Sequence, residues 1–250
     1  MTKNHHEIII CGAGMIGLTF ALLMAEKKIR VCIIDKSDKK LLLTRRDNRT
    51  TAISQGSYRI YRKLGIWKKL RNEFQPINQI FVSEGLGSHD INFDQKNLKE
   101  GPLGFIVDNN LIKRTLLNEV SKSKYISFKH CTEVFDIHNE DIDNSFIETK
   151  DFKLYFKMLV AADGRFSRTR YHANMKYYFH DYHQTAFVFN ISHSKKHHGV
   201  ALERFFPTGP LAILPVKNLK INQSSIVWTV DSEVANDDTF KKNFRKEFEK

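Results

Sequence analysis

Cysteine is scarce in this 250-residue chain. Only Cys11, Cys32 and Cys131 occur, and no two of them form a C-x-x-C pair. That usage argues against a disulfide scaffold and gives no basis for a thiolate metal site. The three read as reduced core thiols of a cytoplasmic protein, two of them inside short apolar runs. Long hydrophobic runs are missing too. No stretch of eighteen apolar residues exists, so no membrane-spanning helix is expected. The opening "MTKNHHEIII" is too short and too polar to read as a signal peptide. His5 and His6 suggest a metal or, more plainly, a solvated lead-in, and no metal site is expected. Repeats and low-complexity linkers are absent. Glycine is thin, at 12 residues, and none follows Gly209.

What is present bounds the class. Hydrophobic residues make up 41% of the chain and are spread evenly, which permits a core and argues against global disorder. The formal charge is +12, with a pI near 9.5. Such a balance suggests nucleic acid first. The lysines are scattered through every segment, however, "RRDNR" and "KSDKK" are short, and no RNA-binding aromatic motif accompanies them. Nucleic acid is therefore not an expected partner. Peripheral attraction to an anionic membrane surface, such as an inner membrane face, fits the scattered charge better.

The most informative stretch is "IIICGAGMIGLTFALLMAEKKIRVCIIDK", Ile8 to Lys36. Ile8 to Cys11 reads as a buried parallel strand. Gly12, Gly14 and Gly17 follow in G-x-G-x-x-G spacing. In a dinucleotide fingerprint Gly12 permits the tight turn, Gly14 lets backbone approach a pyrophosphate, and Gly17 lets the helix lie close on the sheet. The spacing predicts a helix from Met15 to Lys27, its N-terminal amides facing the phosphates. Val31 to Ile34 is a second buried strand. It ends at Asp35, an acid placed to accept hydrogen bonds from a ribose. Lys28 stands where the helix should close, a position suited to glycine in the left-handed conformation.

Two later stretches carry weaker signals. In "LVAADGRFSRTR" an apolar strand exits into Asp163 and Gly164. These either face a cofactor at the strand ends or make a plain strand-to-loop turn. In "DNRTTAIS" Arg49 either pairs with a diphosphate or is a solvated residue at a capped helix start. Helical spacing runs from Gln55 to Trp67, with Gly65 closing it, and again from Asn109 to Ser121. Strands are expected at Ile77 to Ser83 and Ile91 to Phe93, joined by the turn "EGLGSHD", and in "YISFKH", "EVFDIH", "SFIETK" and "FKLYFKMLVAAD". Four more follow at Thr185–Ser192, Gly199–Phe206, Leu211–Pro215 and Ser224–Val230, as an antiparallel sheet. This order suits a second domain threaded through the first.

Together, the glycine stretch, "DNRTTAISQGSYRIYRKLGIW", "LGFIVDNNLIKRTLL" with "LVAADGRFSRTR", and "ALERFFPTGPLAILPV" resemble the group A FAD-dependent aromatic hydroxylases. The likeness is to the ubiquinone-biosynthesis branch that includes 2-octaprenyl-6-methoxyphenol hydroxylase. The last stretch discriminates most. The resemblance implies an α/β fold: a Rossmann-like FAD/NAD(P)-binding domain at 1–75 and 100–175, threaded with a mainly antiparallel β-sheet substrate domain at 76–99 and 176–250. It implies FAD held by Gly12, Ala13, Gly14, Ile16 and Gly17, with Asp35 at the adenosine ribose. Arg49 would lie along the cofactor, Val134 where backbone meets adenine, and Asp163 and Gly164 in a second cofactor motif. It further implies NAD(P)H as electron donor and hydroxylation of a prenylated phenol by dioxygen. The flavin carries that chemistry, so no catalytic side chain is assigned.

The chain departs from the family in one place. The family's third motif, a Gly-Asp-Ala-Ala-His-like stretch past the sheet, has no counterpart after Val230. The expectation is a chain incomplete by itself. It would be completed by a separate C-terminal chain or a ubiquinone-biosynthesis complex, or else be a non-catalytic homologue that binds nucleotide or acts in an assembly. Another flavin oxidoreductase is the remaining reading. The tail is expected to be one polar, basic helix, with Phe240, Phe244 and Phe248 as a stripe docking on this protein or on a partner.

Overall fold

The computed structural model describes residues 4–44, 47–85, 90–99, 101–139, 144–218 and 220–249. The chain divides into two compact units. One comprises Met1–Asp47, Tyr61–Leu70 and Asn110–Tyr178, the other Asn48–Ile60, Arg71–Asn109 and Phe179–Lys250. Residues 48–60, 71–75 and 100–109 thus belong with the second unit, whereas the sequence reading grouped them with the Rossmann-like part.

The first unit is built on a six-stranded sheet. Its order is Ile126–Lys129, Val31–Ile34, His5–Cys11, Lys153–Ala161, Phe146–Glu148, Asp136–His138. The first four strands run parallel and the last two are antiparallel additions. Ile8 to Cys11 and Val31 to Ile34 are buried at every position, as strands covered on both faces must be. On one face Ile9, Cys11, Cys32 and Ile34 pack with Val134, Ile147, Leu154 and Phe156. The helix Met15–Glu26 packs on the strands His5–Cys11 and Val31–Ile34. It closes as the sequence suggested: Lys28 has φ 61°, its amide donates to Ala25, and that of Ile29 donates to Met24. That is the paired bonding of a left-handed helix end, made without glycine at about 1 kcal/mol. Burial pushes the Cys11 thiol up to about 12 and raises that of Cys32. Cys131 is exposed, at φ 51°, so only two of the three cysteines are core thiols.

The second unit holds the antiparallel sheet, in the order Gln184–His193, Asn222–Asp231, Gly209–Val216, Val200–Phe206, Gln79–Glu84, Asp90–Asp94. One pairing, Val200–Phe206 with Gln79–Glu84, is parallel. The turn between Gln79–Glu84 and Asp90–Asp94 lies largely outside the described residues. A three-stranded antiparallel sheet of Thr50–Ser54, Gly104–Asp108 and Phe74–Ile77 joins this unit. Ile77 and Ile106 share a core with Ala201. "TTAIS" is therefore a strand and not a helix start, and "GFIVD" is its partner. The tail forms three short helices, Ser232–Asn236, Asp238–Lys242 and Phe244–Glu249, in place of the single helix expected. Its phenylalanine stripe docks on the unit's own sheet. Phe240, Phe244 and Phe248 all lie 5.6 Å from Trp228, and Phe244 reaches Phe187 and Phe189. Among the described residues no helix is long and apolar enough to cross a membrane.

Candidate functional site

The glycine turn sits at the carboxyl ends of the parallel strands, where sheets of this kind bind ligands. The Gly12 amide donates to the Ile34 carbonyl at 2.8 Å, and Ala162 donates to Cys11 at 2.8 Å. The three neighbouring strand ends are thereby tied together. The three glycines then differ in kind. A Cβ on Gly12, whose φ is +108°, would lie 2.4 Å from the Ala162 carbonyl oxygen. One on Gly17 would lie 2.1 Å from the Gly12 carbonyl oxygen. Both are demanded by the protein's own backbone. Gly14 is not: its φ is −73°, and a Cβ there would meet nothing nearer than 4.0 Å. The fold leaves that face open, as the approach of a ligand requires.

Gly14 also caps the helix Met15–Glu26 without any side-chain hydrogen bond, and the first turn carries no acid. The short helices after Ser167, Asp231 and Asp237 are capped by those side chains. The twelve-residue helix at the glycine turn keeps its N-terminal amides for an anion. Ile16, in that first turn, is 78% exposed.

Asp35 closes the other side. Its carboxylate accepts from the Ala13 amide at 2.7 Å and from the Ser37 amide at 2.8 Å. Its carbonyl takes the Thr132 amide at 2.9 Å. The acid thus braces the glycine turn, and each oxygen keeps a second acceptor position for a hydroxyl. Val134 is buried in the core behind it.

Gly12, Ala13, Gly14, Asp35, Val134 and Asp163 line one open cavity of about 250 Å³. Asp163 both lines this cavity and holds its own loop. Its carboxylate takes the Ser167 hydroxyl, and the Thr169 amide and hydroxyl at 3.0 and 2.9 Å. Burial works against its charge, but the Ser167 and Thr169 donors outweigh it and hold the carboxyl below its ordinary range. It staples the loop after the strand Lys153–Ala161. Gly164, at φ 94°, makes the turn. Arg49 is exposed and belongs to the second unit, where its carbonyl accepts the Asn109 amide at 3.2 Å.

The cavity also brings in residues that the sequence reading passed over. Lys36, Lys113 and Arg168 line it with Phe166, and Arg168 pairs with Glu133 at 2.9 Å. These three cations stand beside three acids of the same lining, Asp35, Glu133 and Asp163. Lys36 and Arg168 lie inside quoted motifs, but nothing in the spacing of Lys113 marks it. Among the described residues no cluster suited to a metal ion occurs.

A glycine turn leading into an uncapped helix, and a braced acid at the next strand end, define a dinucleotide-binding unit of Rossmann type. The chain belongs to the FAD binding domain family, whose model matches residues 5–249. FAD is the cofactor of that family, and the residues lining the cavity fit its adenosine diphosphate half. The chain is 32% identical over 230 residues to ubiquinone hydroxylase UbiL of Rhodospirillum rubrum, covering 91% of this chain and 52% of that protein. It is 26% identical to 3-demethoxyubiquinol 3-hydroxylase of Escherichia coli, covering 91% and 58%. The chain thus spans about half the length of the curated relatives it matches. In fold it is similar to p-nitrophenol 4-monooxygenase PnpA of Pseudomonas putida, with a TM-score of 0.81 at 15% identity, covering 98% of this chain and 62% of that one.

Proposed function

We propose that this chain is the nucleotide-binding part of an FAD-dependent monooxygenase of ubiquinone biosynthesis, which hydroxylates a polyprenylated phenol with NAD(P)H and dioxygen. The observation that carries the reading is the open face of Gly14 at an uncapped helix N-terminus, in a chain whose matched relatives include ubiquinone hydroxylases. When bound, the flavin supplies the redox chemistry. The protein's part is to bind and orient. The amides after Gly14 hold the pyrophosphate, Asp35 accepts from the ribose, and the backbone around Val134 borders the adenine. Lys36, Lys113 and Arg168 add positive charge around the phosphates. Arg49, on the second unit, is proposed to lie along the cofactor.

Two partner readings accompany this. One is a partner on the flavin side of the site, a polypeptide or a biosynthetic complex, and the other is peripheral contact of the basic surface with an anionic membrane face from the cytoplasmic side. The test is NAD(P)H oxidation by the FAD-loaded protein, compared with hydroxylated prenylphenol measured by mass spectrometry, with and without a polypeptide carrying the Gly-Asp-Ala-Ala-His-like stretch. Product in step with NAD(P)H consumption is the expected result of the completed enzyme. A chain that binds no FAD in calorimetry and remains colourless on purification sinks the reading.

A further inference from the structure

A second cavity in the first unit belongs to no part of the cofactor site. It lies among the short helix Lys39–Thr44, the helix Asn109–Lys122 and the edge strand Ile126–Lys129, and holds about 450 Å³. Among the described residues it shares only Leu42 with the dinucleotide cavity. Leu42, Leu117, Val120 and Phe128 give it an apolar lining. Its charged lining residues are Lys39 and Arg114, one on each helix, and His130 lies just past the strand. No acid among the described residues lines it. The His130 ring stacks on Phe128 at 4.0 Å, and its Nδ1 is buried with no hydrogen-bond partner.

An apolar trough with two cationic side chains is complementary to one ligand chemistry. We infer that this cavity binds an anionic amphiphile with a single aliphatic chain, its head group on Arg114 and Lys39 and its tail against Leu117, Val120 and Phe128. At roughly 30 Å³ for each water-sized group, the volume accommodates about fifteen heavy atoms, which suits a medium-chain acyl anion. A neutral apolar molecule would leave the cations unused, and a compact polar anion would leave the apolar lining wet. The inference is independent of the flavin reading and stands or falls separately from it.

The experiment uses the purified 250-residue chain and a twelve-carbon acyl anion carrying a conjugated tetraene, a probe of about fourteen heavy atoms that matches the cavity and whose emission rises on entering an apolar site. Saturable binding at monomeric probe concentrations is expected, with displacement by laurate and much weaker displacement by dodecanol, which has the same tail without the charge. Saturating ADP should not displace the probe. Arg114→Gln should weaken binding about tenfold, the contribution of one charge-assisted hydrogen bond. Ser121→Phe, at an exposed lining position, should weaken it by filling the cavity. Phosphatidylglycerol vesicles distinguish a free acyl anion from a bilayer surface. Binding to vesicles without binding to monomeric probe would overturn the inference. So would equal displacement by laurate and dodecanol, displacement by ADP, or affinities unchanged in both variants.

Discussion

At the scale of single residues, the separate roles that the spacing gives Gly12, Gly14 and Gly17 become separable by substitution, because the fold's own backbone demands only the first and the last. Gly14→Val is expected to abolish ADP and FAD binding in calorimetry while leaving the melting temperature within about 2 °C, a change under 1 kcal/mol. Its added atoms enter space that only a ligand uses. Gly12→Val should cost about 3 kcal/mol or more, through a forbidden φ and a backbone clash, and its thermal melt should report that directly. Asp35→Ala loses more than a ribose contact, because the carboxylate also holds the Ala13 and Ser37 amides. It should weaken ADP binding by about 1–3 kcal/mol and also lower the melting temperature. An unchanged melt would show the brace to be dispensable. Asp163 makes a pH prediction. Its folded pKa lies below the ordinary 3.8, so its stabilisation is present above that value and is lost as pH falls through the lower, folded one. Melting temperature against pH should therefore fall less steeply below about pH 4 in Asp163→Asn than in the parent, because the variant lacks the titrating group.

At the scale of elements, the legible parts of the sequence were those with long or buried apolar patterns. Ile8 to Cys11, Val31 to Ile34 and the two long helices were readable because every position or every turn repeats the signal. The strand pair Thr50–Ser54 and Gly104–Asp108 was not. Each is five residues long and runs directly into a helix whose periodicity dominates the window. What identifies them is pairing between residues fifty or more apart, which no local pattern contains. The same reason hid Lys113: at the cavity it meets Gly12, Asp35 and Thr132, all far from it in the chain. The phenylalanine stripe was legible as a stripe, but its partner was not. Phe244→Ala removes ring contacts to Phe187, Phe189 and Trp228. At about 0.5–1.5 kcal/mol for each aromatic pair, it should destabilise the second unit by about 2 kcal/mol in urea unfolding.

At the scale of the whole molecule, the division of the chain has a practical consequence. The two tryptophans fall one to each unit: Trp67 in the first, which holds the glycine turn, and Trp228 in the second, under the phenylalanine stripe. A single polypeptide therefore carries two separate optical probes. In Trp228→Phe the remaining indole emission reports on the nucleotide-binding unit, and in Trp67→Phe on the antiparallel sheet. Ligand present at about a hundred times its dissociation constant adds about 2.7 kcal/mol to whatever binds it. ADP at that excess should raise the midpoint seen by Trp67 by more than the midpoint seen by Trp228. Fluorescence-detected melts of the two variants give each half of the chain its own stability curve.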